Sequence, residues 1–280
     1  MCQDGLILAT DTQYTRGPMK SHGPKLFDLF APLQNSNLAV LVAGAGRVPF
    51  MKRAIDSLEN RLSNLTDPGL REVRTLAEDT LLQFFQKHVY PMPPHRQDAS
   101  GFELILGVWT RRDGFGLFKT DVTTVNWANK HGTAHCSIGD GQYVSQYALD
   151  LAYDPGLSTE KAKFVAAFCI KAAKDYVASC GGRTRIQWLR FDGADCCHIR
   201  VYDPEVTEAE KDSSDLFDAV KYLIDYLDTV NISDDDSVGT MTDYIRDTII
   251  DLRKKRRERA ERVQQIRARA LAKDAQPKRP

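Results

Sequence analysis

Apolar and polar positions along the chain alternate between two kinds of pattern. Leu6 to Ala9 is a short apolar run between the turn pair Asp4-Gly5 and Asp11, which predicts a buried strand. Leu38 to Ala43 is a second such run, closed by Gly44-Ala45-Gly46. Val48, Met51, Ile55, Leu58 and Leu62 then recur at three- and four-residue spacing, the mark of an amphipathic helix. Val73, Leu76, Ala77, Leu81, Phe84 and Phe85 repeat that spacing until Pro91 stops it. A strand-rich block follows. Phe102–Trp109 and Gly116–Lys119 flank the turn Arg112-Asp113-Gly114, and Thr133–Ile138 reads as a further strand before Gly139-Asp140-Gly141.

Two more helices are predicted over about 142–152 and from the N-cap Ser158 to about 178, where Gly181-Gly182 follows. Arg185–Phe191 and His198–Tyr202 then form a hairpin around Asp192-Gly193. The order is strands, two helices, strands, two helices, strands. Hairpin-linked strands pair antiparallel, and helices arriving in pairs form layers outside the sheets, so the pattern predicts a layered α+β domain. Beyond it, Leu216–Leu227 and Met241–Leu252 predict two helices, the second running into the basic segment Arg253–Arg257. The boundary falls near 204, giving a domain over 1–204 and a helical extension over 205–280. Its last ten residues are expected to be disordered.

Composition narrows the class. The 280 residues are 42% apolar and 27% charged, with equal numbers of basic and acidic groups. No run approaches the roughly 20 apolar residues that span a bilayer, and the start lacks a secretory pattern. The six cysteines form no CxxC pair. Reduced thiols in a cytoplasmic protein are the expectation. Residues 251–280 carry twelve basic and four acidic side chains, so a tail of net +8 hangs on a body of net −8. The tail lacks aromatics interleaved for base stacking, and nucleic-acid contact is not expected. Gly44-Ala45-Gly46 and Gly139-Asp140-Gly141 do not extend to a phosphate loop. His131, His135 and Cys136 have metal-like spacing, but residues four apart on a strand are about 13 Å apart, so neither metal nor cofactor is expected. Trp109, Trp127, Trp188 and His198 read as sheet residues.

Four segments carry more. DGLILATDT (Asp4–Thr12), LVAGAG (Leu41–Gly46) opening a helix, SIGDG (Ser137–Gly141) opening a helix, and Leu157–Gly182 leading to a strand occur in that order. Together they resemble the proteasome-type N-terminal-nucleophile hydrolases, over about residues 4–202. The resemblance implies a four-layer αββα sandwich, here with a C-terminal helical extension. It also implies a threonine-type peptidase acting on peptide or protein substrates, and a homo-oligomer such as a closed ring. A non-catalytic assembly subunit of the same fold is the alternative.

In that family an N-terminal Thr, Ser or Cys attacks the amide and its free α-amine serves as base. An unperturbed α-amine pKa of roughly 7.7–8.0 suits that role. By the resemblance, Asp11 matches the strand-end Asp, Lys25 the Lys on the next strand, and Gly44 the Gly whose N–H supports the oxyanion. Asp140 stands where the family usually has Ser. Asp175 and Ser179 match the Asp-x-x-Ser-Gly step with looser spacing. The family nucleophile precedes the Asp-Gly turn by about eight residues, whereas only Met1, Cys2 and Gln3 do so here. Cys2 is a weak candidate, since six missing strand residues leave it about 20 Å from the place required. The expectation is a nucleophile on residues upstream of Met1.

Overall fold

The structure is a computed structural model. It describes residues 1–29, 37–97, 100–128, 134–193, 196–201, 203–212 and 214–215, together with separate positions between 246 and 265. The chain divides into two compact units, Met1–Val201 and Tyr202–Pro280. In the second unit, residues 203–212 are helical. The predicted helices over 216–227 and 241–252 and the disordered last ten residues lie wholly or mostly outside the described residues.

The first unit begins with β1 (Gly5–Thr10), the hairpin β2 (Gln13–Arg16) and β3 (Met19–His22), then β4 (Leu26–Asp28) and β5 (Leu38–Gly46). Helices α1 (Val48–Leu62), α2 (Leu70–His88) and the short α3 (Pro94–Gln97) follow. Strands β6 (Phe102–Thr110), β7 (Gly114–Asp121) and β8 (Thr124–Trp127) precede α4 (Gln142–Ala152) and α5 (Thr159–Tyr176), and β9 (Arg185–Phe191) and β10 (Cys196–Arg200) close the unit. One antiparallel sheet has the order β4-β5-β6-β7-β8, and a second has the order β1-β9-β10.

Strand β5 explains the layering. Successive side chains of a strand point to opposite faces. Leu38, Val40 and Val42 enter a core with Met51, Ile55 and Leu58 of α1 and Val73, Leu81 and Phe85 of α2. Ala39, Leu41 and Ala43 face the other way, into a core with Leu6 and Leu8 of β1 and Leu189 of β9. A strand buried on both faces must be apolar at every position, which is why its run is unbroken. The sheets meet closely at Gly107, where an added Cβ would lie 2.5 Å from Leu6 Cδ1. Helix α5 packs on the outer face of β1 and β9, and α4 packs on α5. The result is the four-layer αββα sandwich.

One local reading is corrected and one, the N-cap at Ser158, is borne out in position and refined in its bonding. Residues 134–138 form no strand. Their backbone groups turn elsewhere: Ala134 O accepts from the Met1 amine, and Ser137 O from Lys119 Nζ at 3.0 Å. Ser158 is the N-cap residue of α5, but its side chain makes no cap bond. Asp4 does so from the turn before β1, accepting from Thr159 N at 2.7 Å and Thr159 Oγ1 at 3.0 Å. A carboxylate there satisfies orphan N–H groups and complements the helix dipole. Among the tryptophans, Trp109 and Trp188 are buried, and Trp127 stacks at a tilt on Phe118. His198 lies on β10 and pairs with Asp28 at 2.8 Å.

Candidate active site

Strand β1 delivers Asp11 to the end of the second sheet, and the chain returns to place Lys25 immediately before β4. Their side chains are almost fully covered, and Lys25 Nζ lies 2.6 Å from Asp11 Oδ1. The other carboxylate oxygen accepts from Gly181 N at 2.9 Å and Gln13 N at 3.3 Å. A carboxylate held by three donors is fixed in orientation. The Lys25 ammonium also sits 5.3 Å from the centre of the Tyr14 ring. The Tyr14 hydroxyl donates to Pro24 O. Burial, reinforced by the Asp11 charge, pushes the Tyr14 phenol up to about 12.

Gly44, matched to the oxyanion glycine by the resemblance, has its N–H engaged within the sheet. Gly44 N already donates to Lys25 O at 2.8 Å. It is therefore the last rung between β4 and β5 and not a free donor. Backbone groups alternate along a strand, so Gly46 N faces the same edge one rung further, where β4 has not begun. Gly46 has φ +102°, which glycine adopts readily. Helix α1 starts two residues later, with Arg47 as N-cap making no side-chain cap bond and proline in its first positions. Its N-terminal end adds partial positive charge beside that amide.

The remaining candidates separate. Asp140 and Ser179 line the same cavity as Asp11, Lys25, Gly44 and Gly46. The carbonyl of Ser179 accepts from Thr15 Oγ1 at 3.1 Å. Asp175 does not come to the cavity. It is half-exposed on α5, paired with Lys171 one turn earlier. The extra residues between Asp175 and the Gly181-Gly182 pair leave it on the helix surface. Sequence reasoning missed Cys180, which lines the cavity and directly precedes Gly181. The available signal was position: the family's Ser sits directly before a Gly. Burial, then the Asp11 charge, raise the Cys180 thiol above its ordinary range while Lys25 opposes them. That thiol stays protonated and is a poor nucleophile.

The cavity measures about 1290 Å³ and runs from this cluster along β1 to Met1 and Cys2. Cys2 pairs with Gly5, at the opposite end of β1 from Asp11. At about 3.3 Å per residue the separation is about 20 Å, so Cys2 does not join Lys25. Burial also raises its thiol. No disulfide joins any of the six cysteines. His135 touches Gln146 and Asp150, while His131 lies outside the described residues. Among the described residues no helix is long and apolar enough to cross a membrane.

No curated protein matches the chain. Three solved structures share the fold. Anbu (ancestral beta-subunit) from Yersinia bercovieri superposes with TM-score 0.63 at 16% identity, covering 79% of this chain and 94% of that one. The Anbu (Gly-1) mutant from Hyphomicrobium sp. strain MC1 gives 0.65 at 15%, covering 80% and 96%. The helical assembly of the Anbu complex from Pseudomonas aeruginosa gives 0.65 at 16%, covering 79% and 93%. At such identity these likenesses show fold alone. The proteasome subunit family model matches residues 1–189, about two thirds of the chain. A match of that extent, on a sandwich with this strand order, makes the chain a member of the proteasome subunit family.

Proposed function

We propose that the protein is a proteasome-like peptidase subunit that hydrolyses amide bonds with an N-terminal Thr, Ser or Cys carried on residues preceding Met1. The observation that carries this reading is the covered Lys25–Asp11 pair, 2.6 Å apart at the end of a large cavity. A fixed cation favours the deprotonated form of a nearby hydroxyl or thiol. Asp11 holds that cation in place. The nucleophile's own α-amine takes its proton and returns it to the leaving amine. The Gly46 N–H, with the end of α1 behind it, stabilises the oxyanion. Asp140, Ser179 and Cys180 shape the polar wall around these groups.

The test is hydrolysis of fluorogenic peptides by the protein purified from its own source, with its N-terminal residue read by intact mass. Hydrolysis that disappears in Lys25→Ala supports the reading. Full hydrolysis in that variant removes Lys25 from the site.

A second reading, a non-catalytic assembly subunit, is favoured by Asp140. A carboxylate only accepts, where the family's hydroxyl also donates. Self-association belongs to both readings. Tyr143, Tyr147 and Leu151 recur at four-residue spacing on α4 and are 81%, 67% and 71% exposed. Such an apolar stripe suits a contact between copies, closed as a ring or open as a helix, like the assembly described for the Pseudomonas protein.

A further inference from the structure

Three hairpin turns place glycine in the left-handed backbone region: Gly17 between β2 and β3, Gly114 at the start of β7, and Gly193 between β9 and β10. The turn between β7 and β8 does not. Its first residue is Val122, with φ +52°, the one residue other than glycine in that region among the described residues. Tips of this kind ordinarily take Gly, Asn or Asp. A side chain branched at Cβ is strained there. Thr124 Oγ1 donates to Asp121 O at 2.9 Å and closes the turn around it. Backbone strain of this kind gathers at sites that meet a ligand.

The strained tip stands at the cavity. Ile105 and Lys119 form the last paired rung between β6 and β7. One residue further, Leu104 N donates to the side chain of Thr120, at 2.8 Å from Oγ1. Beyond that point β7 pairs with β8, through Asp121 and Thr124. The tip therefore leaves the sheet at the end where Gly46 pairs with Phe102. Asp121 and Val122 line the same cavity as Gly46, and so do Val48 and Pro49 in the first turn of α1. Val122 is 50% exposed and belongs to the mouth of that cavity. Strand β7 lies two strands from β5, about 10 Å across the sheet, which an extended peptide covers in about three residues.

We infer that Val122 is a specificity-determining residue: its isopropyl group, with Val48 and Pro49, receives an aliphatic side chain of an extended peptide bound in the cavity. Glycine or asparagine at 122 would relieve the backbone, but either would take the branched apolar surface away from the mouth. The turn keeps valine because the contact needs it. Val122 meets the peptide away from the bond that is cut, so it sets preference without taking part in the chemistry. The inference rests on the reading of the site as one for peptides and deepens it by naming the class of side chain preferred. The contact is read by binding alone, without hydrolysis.

The probe is a set of fluorescein-labelled hexapeptides, one of Ala throughout and the others with a single Leu at each position in turn. Binding to the full chain is followed by fluorescence anisotropy in the cold, and mass spectrometry of the same samples records whether any peptide is cut. Wild type should hold one of the Leu peptides roughly tenfold more tightly than the all-Ala peptide, the increment of one apolar side chain in a pocket. Val122→Asn keeps the size of the side chain, relieves the backbone and makes the tip polar. It should bring that ratio close to one while the urea midpoint rises. Val122→Ala shortens the side chain and leaves the strain, so the ratio should fall without a rise in the midpoint. A ratio near one in wild type overturns the inference, and so does a tenfold ratio that survives in Val122→Asn. A midpoint that falls in Val122→Asn also overturns it, since no strain would then have been relieved. If the ratio collapses as expected and no peptide is cut, the peptidase reading fails and the Val122 contact stands.

Discussion

Lys25 and Asp11 are 14 residues apart in sequence and 2.6 Å apart in space. Each is covered, yet the pair borders a large cavity. Lys25→Ala is expected to abolish peptide hydrolysis. The fold should lose about 1–3 kcal/mol, because Asp11 keeps its bonds from Gly181 and Gln13 and is not stranded without donors. Denaturant unfolding beside the peptide assay separates the two effects.

Asp175 provides the contrast. Its partner is Lys171, on the same exposed face of α5. Exposed pairs one helical turn apart contribute at most a few tenths of a kcal/mol. Asp175→Ala should leave both hydrolysis and the unfolding midpoint close to wild type. A hydrolysis loss comparable to that of Asp11→Asn would return Asp175 to the site.

Gly46→Ala should destabilise by about 1–3 kcal/mol. At φ +102° an L side chain is strained. Its Cβ would also lie 2.6 Å from Gly101 O and 2.7 Å from Phe102 Cα, both backbone atoms that cannot move aside cheaply. Urea unfolding curves give the value directly.

His135 makes stability depend on pH. Burial lowers its pKa from the ordinary 6.5, against the pull of Asp150. Between the folded value and 6.5 the unfolded chain binds more proton, so stability rises with pH across that window. It is complete above 6.5 and is lost as acid charges the buried ring. His135 packs edge-on against Tyr153 and contacts Gln146. Melting temperatures from pH 5 to 7 should fall in acid more steeply for wild type than for His135→Gln. Parallel curves would remove His135 as the source.

Tyr14 should ionise late. With the phenol at about 12, one of the ten tyrosines should titrate some two units above the ordinary value. Ultraviolet titration of wild type against Tyr14→Phe isolates it. A difference spectrum centred at 10 would mean that Tyr14 is neither buried nor set beside Asp11.

Much of the sandwich was legible because its central strands are buried on both faces. Leu38–Ala43 and Phe102–Trp109 cannot be anything but apolar runs, and α1 and α2 show the spacing of helices with one buried side. The hairpin β2–β3 carried no such signal: β3 is exposed at all four positions. Residues 134–138 looked like a strand because their composition suits one, but pairing is not a property of composition.

The site divides along the same line. Sequence alone determined which residues are chemically equipped, Asp11 and Lys25 among them, since order and residue type identify the family's segments. Tertiary structure decided which of them meet. Hydrogen-bond parity along β5 ties Gly44 N to Lys25 O and turns Gly46 N to the same edge beyond β4. Two extra residues after α5 turned Asp175 outward and brought Cys180 to the wall. Such outcomes depend on backbone direction to within one residue, where a single step reverses which way a group points. A residue's type does not encode that step; the packing of the sheets around it does.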